Sequence, residues 1–270
     1  MNRSRFTALL AESPTPLLCD GAMGTMLNAR GVSFNQCFDE LNLQQPAAVA
    51  EIHRAYIEAG AQIITTNTFG ANRYRLAAHG LEDRVREINQ AAVELARRAV
   101  LASFKDVLIA GNVGPLGVRL APYGRVQPEQ ARLAFSEQIE VLMEFGVDLL
   151  IIETFSDLYE IREAVAAGRG LGDLPVVATV TFTRDDRTLL GDAPEKAARI
   201  LHETGADLIG VNCSGGPAQI WRILRRMRSA VPGARFSAQP NAGWPEQVGG
   251  RILYPANPDY FADYALALCD

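Results

Sequence analysis

An α/β chain built as a TIM-type (β/α)8 barrel, with its eighth strand missing, is what three features of this 270-residue sequence predict. Short apolar runs alternate with amphipathic segments along the chain, the pattern of repeated βα units. Three amphipathic segments close on a glycine that leads at once into the next apolar run: AGAQII at Gly60, FGVDLL at Gly146 and TGADLI at Gly205. A polar residue ends nearly every apolar run, namely Asp20, Asn67, Asn112, Glu153, Thr181, Cys213 and Asn241. A barrel gathers such strand ends at one mouth, where an open sheet would spread them along an edge. A dinucleotide-binding sheet would show Gly-x-Gly-x-x-Gly after its first strand, which Asp20-Gly-Ala-Met-Gly-Thr does not match.

Taken in order, the apolar runs are 16–20 (PLLCD), 62–69 (QIITTNTF), 107–112 (VLIAGN), 148–154 (DLLIIET), 175–182 (PVVATVTF), 207–213 (DLIGVNC) and 235–241 (RFSAQPN). Each is read as a strand. Between them, Val49, Ile52, Tyr56 and Ala59 fall at helical spacing, as do apolar residues across 81–102, 128–145, 157–169, 194–204 and 217–230. Pro128 stands where proline is tolerated, at a first helical position. The glycines at 60, 146 and 205 can take the left-handed conformation that closes a helix C-terminus. After Asn241 comes a loop rich in Gly and Pro, then 258–268 reads as a further helix with no apolar run behind it. The expected organisation is one barrel domain, residues 1–270, C-terminally truncated.

Composition narrows the partners. With 48% hydrophobic and 21% charged residues the chain can bury a sizeable core. The net charge of -5 leaves no basic footprint for nucleic acid. The first residues lack the apolar core of a signal peptide, and no stretch approaches the roughly 18 apolar residues of a membrane span. A cytoplasmic protein with a small-molecule partner is expected, with no nucleic acid and no membrane. The four cysteines, Cys19, Cys37, Cys213 and Cys269, are too irregularly spaced for a disulfide scaffold.

Asp20 and Glu153 each close an apolar strand. A lone carboxylate there serves as a helix cap or a buried hydrogen-bond acceptor about as often as anything else, but two at one mouth suit an ammonium group. Gly21-Ala22-Met23-Gly24 follows Asp20, and backbone amides at glycines can approach a ligand carboxylate. Cys213 ends a strand and is followed by Ser214-Gly215-Gly216-Pro217, a turn into a helix. A free cysteine is commonly a small buried hydrophobe. Near a helix N-terminus its thiolate is favoured, which makes a ligand or nucleophile the competing reading. Cys19, facing away from Asp20, is read as core, and Cys37 and Cys269 as structural. His53, His79 and His202 fall in or just after helices and are read as packing or surface residues.

Six motifs in order then carry a resemblance: Asp20-Gly-Ala-Met-Gly-Thr-Met-Leu, Thr66-Asn-Thr-Phe-Gly-Ala-Asn, Gly111-Asn-Val-Gly-Pro, Ile152-Glu-Thr-Phe, Gly210-Val-Asn-Cys-Ser and Pro240-Asn-Ala-Gly-Trp-Pro. From about residue 16 to the end the chain resembles the homocysteine S-methyltransferase family, which includes the homocysteine module of cobalamin-dependent methionine synthase. The resemblance implies methyl transfer to homocysteine at a zinc held by three Cys thiolates. Cys213 matches the first of the three and is implied as metal ligand and catalytic residue. The adjacent Cys-Cys pair, which the family carries within Gly-Gly-Cys-Cys-Gly, has no match here. Asp20 and Glu153 are implied as holders of the homocysteine ammonium, Glu153 counting with Cys213 as a catalytic residue, and the Gly21 and Ala22 amides as holders of its carboxylate.

Zinc suits such chemistry on general grounds. A free thiol, with a pKa of about 8.5, is mostly protonated at neutral pH, whereas metal coordination deprotonates it outright. The implied donor is a methylated corrinoid (methylcobalamin) or methylfolate system, with S-methylmethionine and betaine as the other options. Thr66-Asn-Thr-Phe-Gly-Ala-Asn and Pro240-Asn-Ala-Gly-Trp-Pro look closest to the methionine synthase type and to bifunctional proteins joined to a methylenetetrahydrofolate reductase. A fused or separate folate or cobalamin domain is the implied partner. Two readings compete: a fragment or non-catalytic barrel module, and a metal-free barrel lyase using Glu153 as base.

Overall fold

The structure, a computed structural model, describes residues 3–244, 246–248, 251–253 and 256–269. The chain divides into two compact units, residues 1–151 with 166–175, and residues 152–165 with 176–270.

In the first unit, helices α1 (Arg3–Glu12), α2 (Met23–Ala29), α3 (Leu41–Gln44) and α4 (Pro46–Glu58) precede strand β1 (Ile63–Thr65). Helix α4 starts on Pro46 and buries Val49, Ile52 and Ile57; of the expected stripe, Tyr56 is only half-buried and Ala59, just past the helix end, is exposed. After β1 come α5 (Arg73–Ala77), a 3-10 turn (Glu82–Arg84), α6 (Val85–Ser103), β2 (Leu108–Val113) and α7 (Pro128–Glu144). Strand β2 lies parallel to β1 with Ile63 opposite Leu108 and Thr65 opposite Ala110. Strand β3 (Leu149–Phe155) and helix α8 (Leu158–Leu171) have residues in both units.

The second unit continues with β4 (Val176–Val180), α9 (Pro194–Glu203), β5 (Leu208–Cys213), α10 (Pro217–Ala230) and β6 (Phe236–Pro240). An antiparallel pair, β7 (Glu246–Val248) and β8 (Arg251–Leu253), and then helix α11 (Pro258–Cys269) complete it. Strands β4, β5 and β6 are parallel, and the main sheet runs in the unbroken order β1-β2-β3-β4-β5-β6. A doubly wound sheet reverses its order at a switch point, whereas a (β/α)8 barrel does not. Sequential order therefore favours the TIM-like reading.

The repeated glycine junction has a physical cause in two parts. Gly60, Gly146 and Gly205 have φ of +105°, +85° and +77°, the left-handed conformation that ends a helix. Two residues later a polar side chain grips the preceding strand in a reciprocal pair. Asp148 donates its amide to the Ile109 carbonyl at 2.7 Å while its Oδ2 accepts from the Ile109 amide at 2.8 Å. Asp207 does the same with Val176, and Gln62 with Leu18. Each junction thus sets a strand's register as well as its start.

Two strand expectations are corrected. The first expected strand, 16–20, is reduced to a bridge between Cys19 and Ile63. Pro16 has no amide to donate, and the Leu18 carbonyl is taken by both Gln62 and Ile63 amides, so the ladder cannot lengthen. The second, 62–69, stops at Thr65 because the Thr66 and Thr68 hydroxyls bond each other at 2.7 Å and serve Asn112. Such side-chain bonds compete with the ladder. The expected loop after Asn241 contains the β7–β8 pair, and among the described residues no seventh strand joins the main sheet.

His53 on α4 is fully buried, and neither ring nitrogen has a hydrogen-bond partner. Burial lowers its pKa to about 4, so the folded ring stays neutral. As pH falls below about 6.5 the unfolded chain takes up a proton that the folded chain refuses, and stability drops until about pH 4 is reached. The loss is at most roughly 3 kcal/mol. His53→Leu should leave stability at pH 7.5 nearly unchanged or raised, because an apolar group there strands nothing. It should also flatten the urea midpoint between pH 6.5 and 4; an unchanged slope would show that His53 does not titrate in this way.

Candidate functional site

Strand ends in the second unit come together at one amide. Asn212, at 1% exposure, is the last residue but one of β5. Its Oδ1 accepts from the Thr154 amide and from the Thr179 hydroxyl, both at 2.8 Å. Its Nδ2 donates to Glu153 Oε2 at 2.7 Å and to Thr154 Oγ1 at 2.5 Å. Glu153 and Thr154 lie near the end of β3, just before Phe155, Thr179 lies in β4, and Cys213 follows Asn212 directly. The Cys213 sulfur lies 3.8 Å from Thr154 Oγ1 and 3.7 Å from Asn212 Nδ2.

Backbone strain collects at the same place. Thr154, Cys213 and Ser214 have φ of +65°, +54° and +53°. A β-branched residue in that region is a genuine outlier, and such strain gathers at functional sites. The turn after Cys213 is held from several sides. Ser214 Oγ accepts from the Phe182 amide at 2.8 Å, the Ser214 amide donates to Thr181 Oγ1 at 3.2 Å, and Asn241 Nδ2 donates to the Ser214 carbonyl at 3.3 Å. At Gly215 any Cβ would fall 2.3 Å from Gln219 Oε1 and 2.5 Å from Trp244 Nε1, so a side chain there would have to displace both. Gln219 is itself tied to Asp186, which a two-pronged pair with Arg222 at 2.7 Å holds below the usual carboxylate range.

The Cys213 thiol is half-buried, and burial followed by the negative charge of Glu153 pushes its pKa up, while the hydrogen bond from Thr154 draws it back. Left alone, the sulfur is therefore a poor thiolate at neutral pH. Something positive must be added to make it a ligand or nucleophile.

In the first unit, Asp20 is half-buried and accepts from the Thr65 amide at 2.8 Å and from the Thr65 hydroxyl at 3.2 Å. A Cβ on Gly21 would lie 2.9 Å from the Tyr56 hydroxyl, which donates to the Ala22 carbonyl at 3.2 Å. Burial, then Asp20, raises the Tyr56 pKa. Ala22 is the N-cap of α2 and brings no side-chain acceptor to its first turn. First-turn amides of that kind are met by water or by an anion.

The remaining sulfur and imidazole groups stand apart from this chemistry. Cys19 is half-buried instead of core, which corrects the expectation, since its neighbour Leu18 is 59% exposed at the margin of the sheet. Cys37, half-buried, is pushed up to about 11 by burial and then by Asp39. Cys269 is exposed in α11 and its sulfur donates to the Ala265 carbonyl. His53 is packed inside, His79 and His202 are exposed. A cavity of about 250 Å³ lined by His202, Asp207 and Arg235 lies at the amino-terminal ends of β5 and β6, away from Cys213.

Among the described residues no three His, Cys, Asp or Glu side chains lie together so as to hold a metal ion. Cys213 is thus one thiolate where a catalytic zinc needs three protein ligands. Asn212 and Thr154 are functional candidates that residue-by-residue reading of the sequence passed over. The available signal was an amide directly before Cys213 in an otherwise apolar strand.

A family model described as homocysteine S-methyltransferase matches residues 17–270. The methionine synthase of Mycobacterium tuberculosis (strain ATCC 25618 / H37Rv) is 34% identical over 260 residues, covering 90% of this chain and 22% of the relative. That of Mycobacterium leprae (strain TN) is 31% identical over 260 residues, covering 90% and 21%. The chain therefore spans about a fifth of the length of the curated relatives it matches. Among solved structures, the homocysteine methyltransferase MmuM from Escherichia coli superposes in its metallated form with TM-score 0.69 at 24% identity, over 86% of this chain and 93% of that one. Its oxidized form gives TM-score 0.70 at 24% identity, over 98% and 99%. At that identity the likeness speaks for the fold.

Proposed function

This chain belongs to the homocysteine S-methyltransferase family, and from that premise we propose that it carries a methyl group to the thiol sulfur of homocysteine, giving methionine. In the transfer the sulfur lone pair forms the S–CH3 bond, the methyl–donor bond breaks with its electrons leaving on the donor, and the thiol proton is lost. The observation that carries the reading is the end of β5, where Cys213 sits in a left-handed turn with the Glu153 carboxylate held beside it through Asn212. Glu153 and Asp20 are the carboxylates for the homocysteine ammonium, and the Gly21 and Ala22 amides receive its carboxylate. The donor is a methylated corrinoid or folate system, supplied by a fused or separate domain in the cytoplasm.

Zinc belongs to the same proposal, with Cys213 as one ligand. The residues described here do not complete its site, because no three His, Cys, Asp or Glu side chains among them gather to hold a metal ion. The same reading takes residues 1–270 as one barrel domain whose eighth strand and Cys-Cys pair lie outside it. A second reading, a non-catalytic barrel module of a larger protein, is favoured by that incomplete ligand set. Intact-mass measurement of the natural protein separates the two, since a longer chain bearing Gly-Gly-Cys-Cys supports the enzyme.

Glu153→Gln tests the substrate assignment. It exchanges a carboxylate facing an ammonium for a neutral amide and keeps the shape. Hydrogen bonds to charged groups contribute about 1.5–3 kcal/mol, so homocysteine should bind roughly tenfold more weakly or worse in calorimetry on the zinc-competent protein. Unchanged affinity would remove Glu153 from the site.

A further inference from the structure

We infer that Asn212 is the positioning residue of this site: it fixes the Glu153 carboxylate and the left-handed Thr154 backbone beside Cys213. The inference rests on the proposed function for what Glu153 binds, and on geometry alone for how Glu153 is held.

The orientation of the Asn212 amide is settled by its partners. The Thr154 amide can only donate, so the atom facing it is Oδ1, and Nδ2 must point at Glu153. Both of its N–H groups and both acceptor directions of Oδ1 are then engaged, at a residue with 1% exposure. Few substitutions satisfy this set. Leucine would strand the Thr154 amide and the Thr179 hydroxyl, and aspartate would keep those two while losing both donors and setting a carboxylate against Glu153.

The network is also directional. Thr179 donates to Asn212, and Asn212 donates to Thr154 Oγ1. With one lone pair so occupied, the Thr154 hydroxyl is fixed within 3.8 Å of the Cys213 sulfur, where its hydrogen can serve a thiolate and its second lone pair a thiol. Thr154 holds this arrangement at φ +65°, with its N–H hydrogen-bonded to Asn212 Oδ1. One buried amide therefore places a carboxylate and a hydroxyl that belong to a different strand.

A double-mutant cycle on the natural protein tests this. Asn212→Ala should weaken homocysteine binding about as much as Glu153→Gln does, tenfold or more. The double variant should bind no worse than the weaker single variant, because the first change already removes the hydrogen bond that orients the carboxylate. Losses that multiply would overturn the proposal, since a residue of merely structural use acts independently of Glu153. Crystal structures of the variants supply a readout that needs no substrate. In Asn212→Ala both the Glu153 carboxylate and the Thr154 φ should move. In Asn212→Asp, the safer variant for folding, Thr154 should keep its positive φ while Glu153 swings away. Glu153 unmoved in either variant would sink the inference. Failure of the unaltered protein to bind homocysteine would instead count against the proposed function, with the crystal structures still deciding the role of Asn212.

Discussion

Gly210→Ala should lower the stability of the second unit by about 3 kcal/mol or more, at the upper end of what overpacking costs. The added methyl would lie 2.0 Å from the Ser237 carbonyl oxygen and 2.8 Å from its carbon, on the neighbouring strand β6. These are backbone atoms within a paired register, Gly210 opposite Ser237, so relief requires parting β5 from β6 instead of turning a rotamer. In a protein of this size the corresponding fall in melting temperature is roughly 10 °C. Gly111→Ala is the matched control on β2. There the new methyl meets the side chains of Leu142, Leu150 and Val147 at 3.1 to 3.3 Å, and side chains can give by a few tenths of an ångström. Its cost should stay near 1 kcal/mol. Equal melting temperatures for the two variants would show that the β5–β6 contact is softer than its geometry indicates.

That contrast bears on what the sequence could reveal. The βα alternation, the helix-closing glycines and the polar strand ends were legible because each follows from a local rule: a periodicity, a left-handed backbone, a junction residue that grips the strand before it. Strand lengths were less so. Nothing in QIITTNTF says that Thr66 and Thr68 will satisfy each other and stop the ladder, because the decision lies with Asn112 on another strand. The site divides in the same way. Glu153 and Cys213 were visible as polar residues ending apolar runs. Asn212 and Thr154 matter through each other, across 58 residues of sequence, and a one-dimensional reading has no rule that joins them. The β7–β8 pair was hidden for a simpler reason, since a Gly- and Pro-rich stretch reads as loop whether or not three residues on each side pair up.

The largest functional effect is expected from Cys213→Ser in the natural protein. Serine keeps the size and the turn, so Ser214 and Gly215 should hold their places and the melting temperature should change little. What disappears is the soft sulfur donor, and thiolate is what selects zinc over the commoner oxygen-seeking cations. Removing an outer-shell partner of a metal ligand already costs 10 to 100-fold in affinity, so losing the ligand itself should cost about 100-fold or more, and methyl transfer should fall with it. Among the described residues no group of three ligands gathers around Cys213, and Glu153 is the carboxylate whose charge its sulfur feels in the same unit. The 270 residues alone should therefore hold zinc weakly, and a form carrying an adjacent Cys-Cys pair should bind one zinc tightly. Metal content after dialysis against a chelator distinguishes these cases. If the 270-residue chain kept a stoichiometric zinc, and Cys213→Ser kept it too, the ligand set assigned here would be wrong and Cys213 would revert to a strained but structural cysteine.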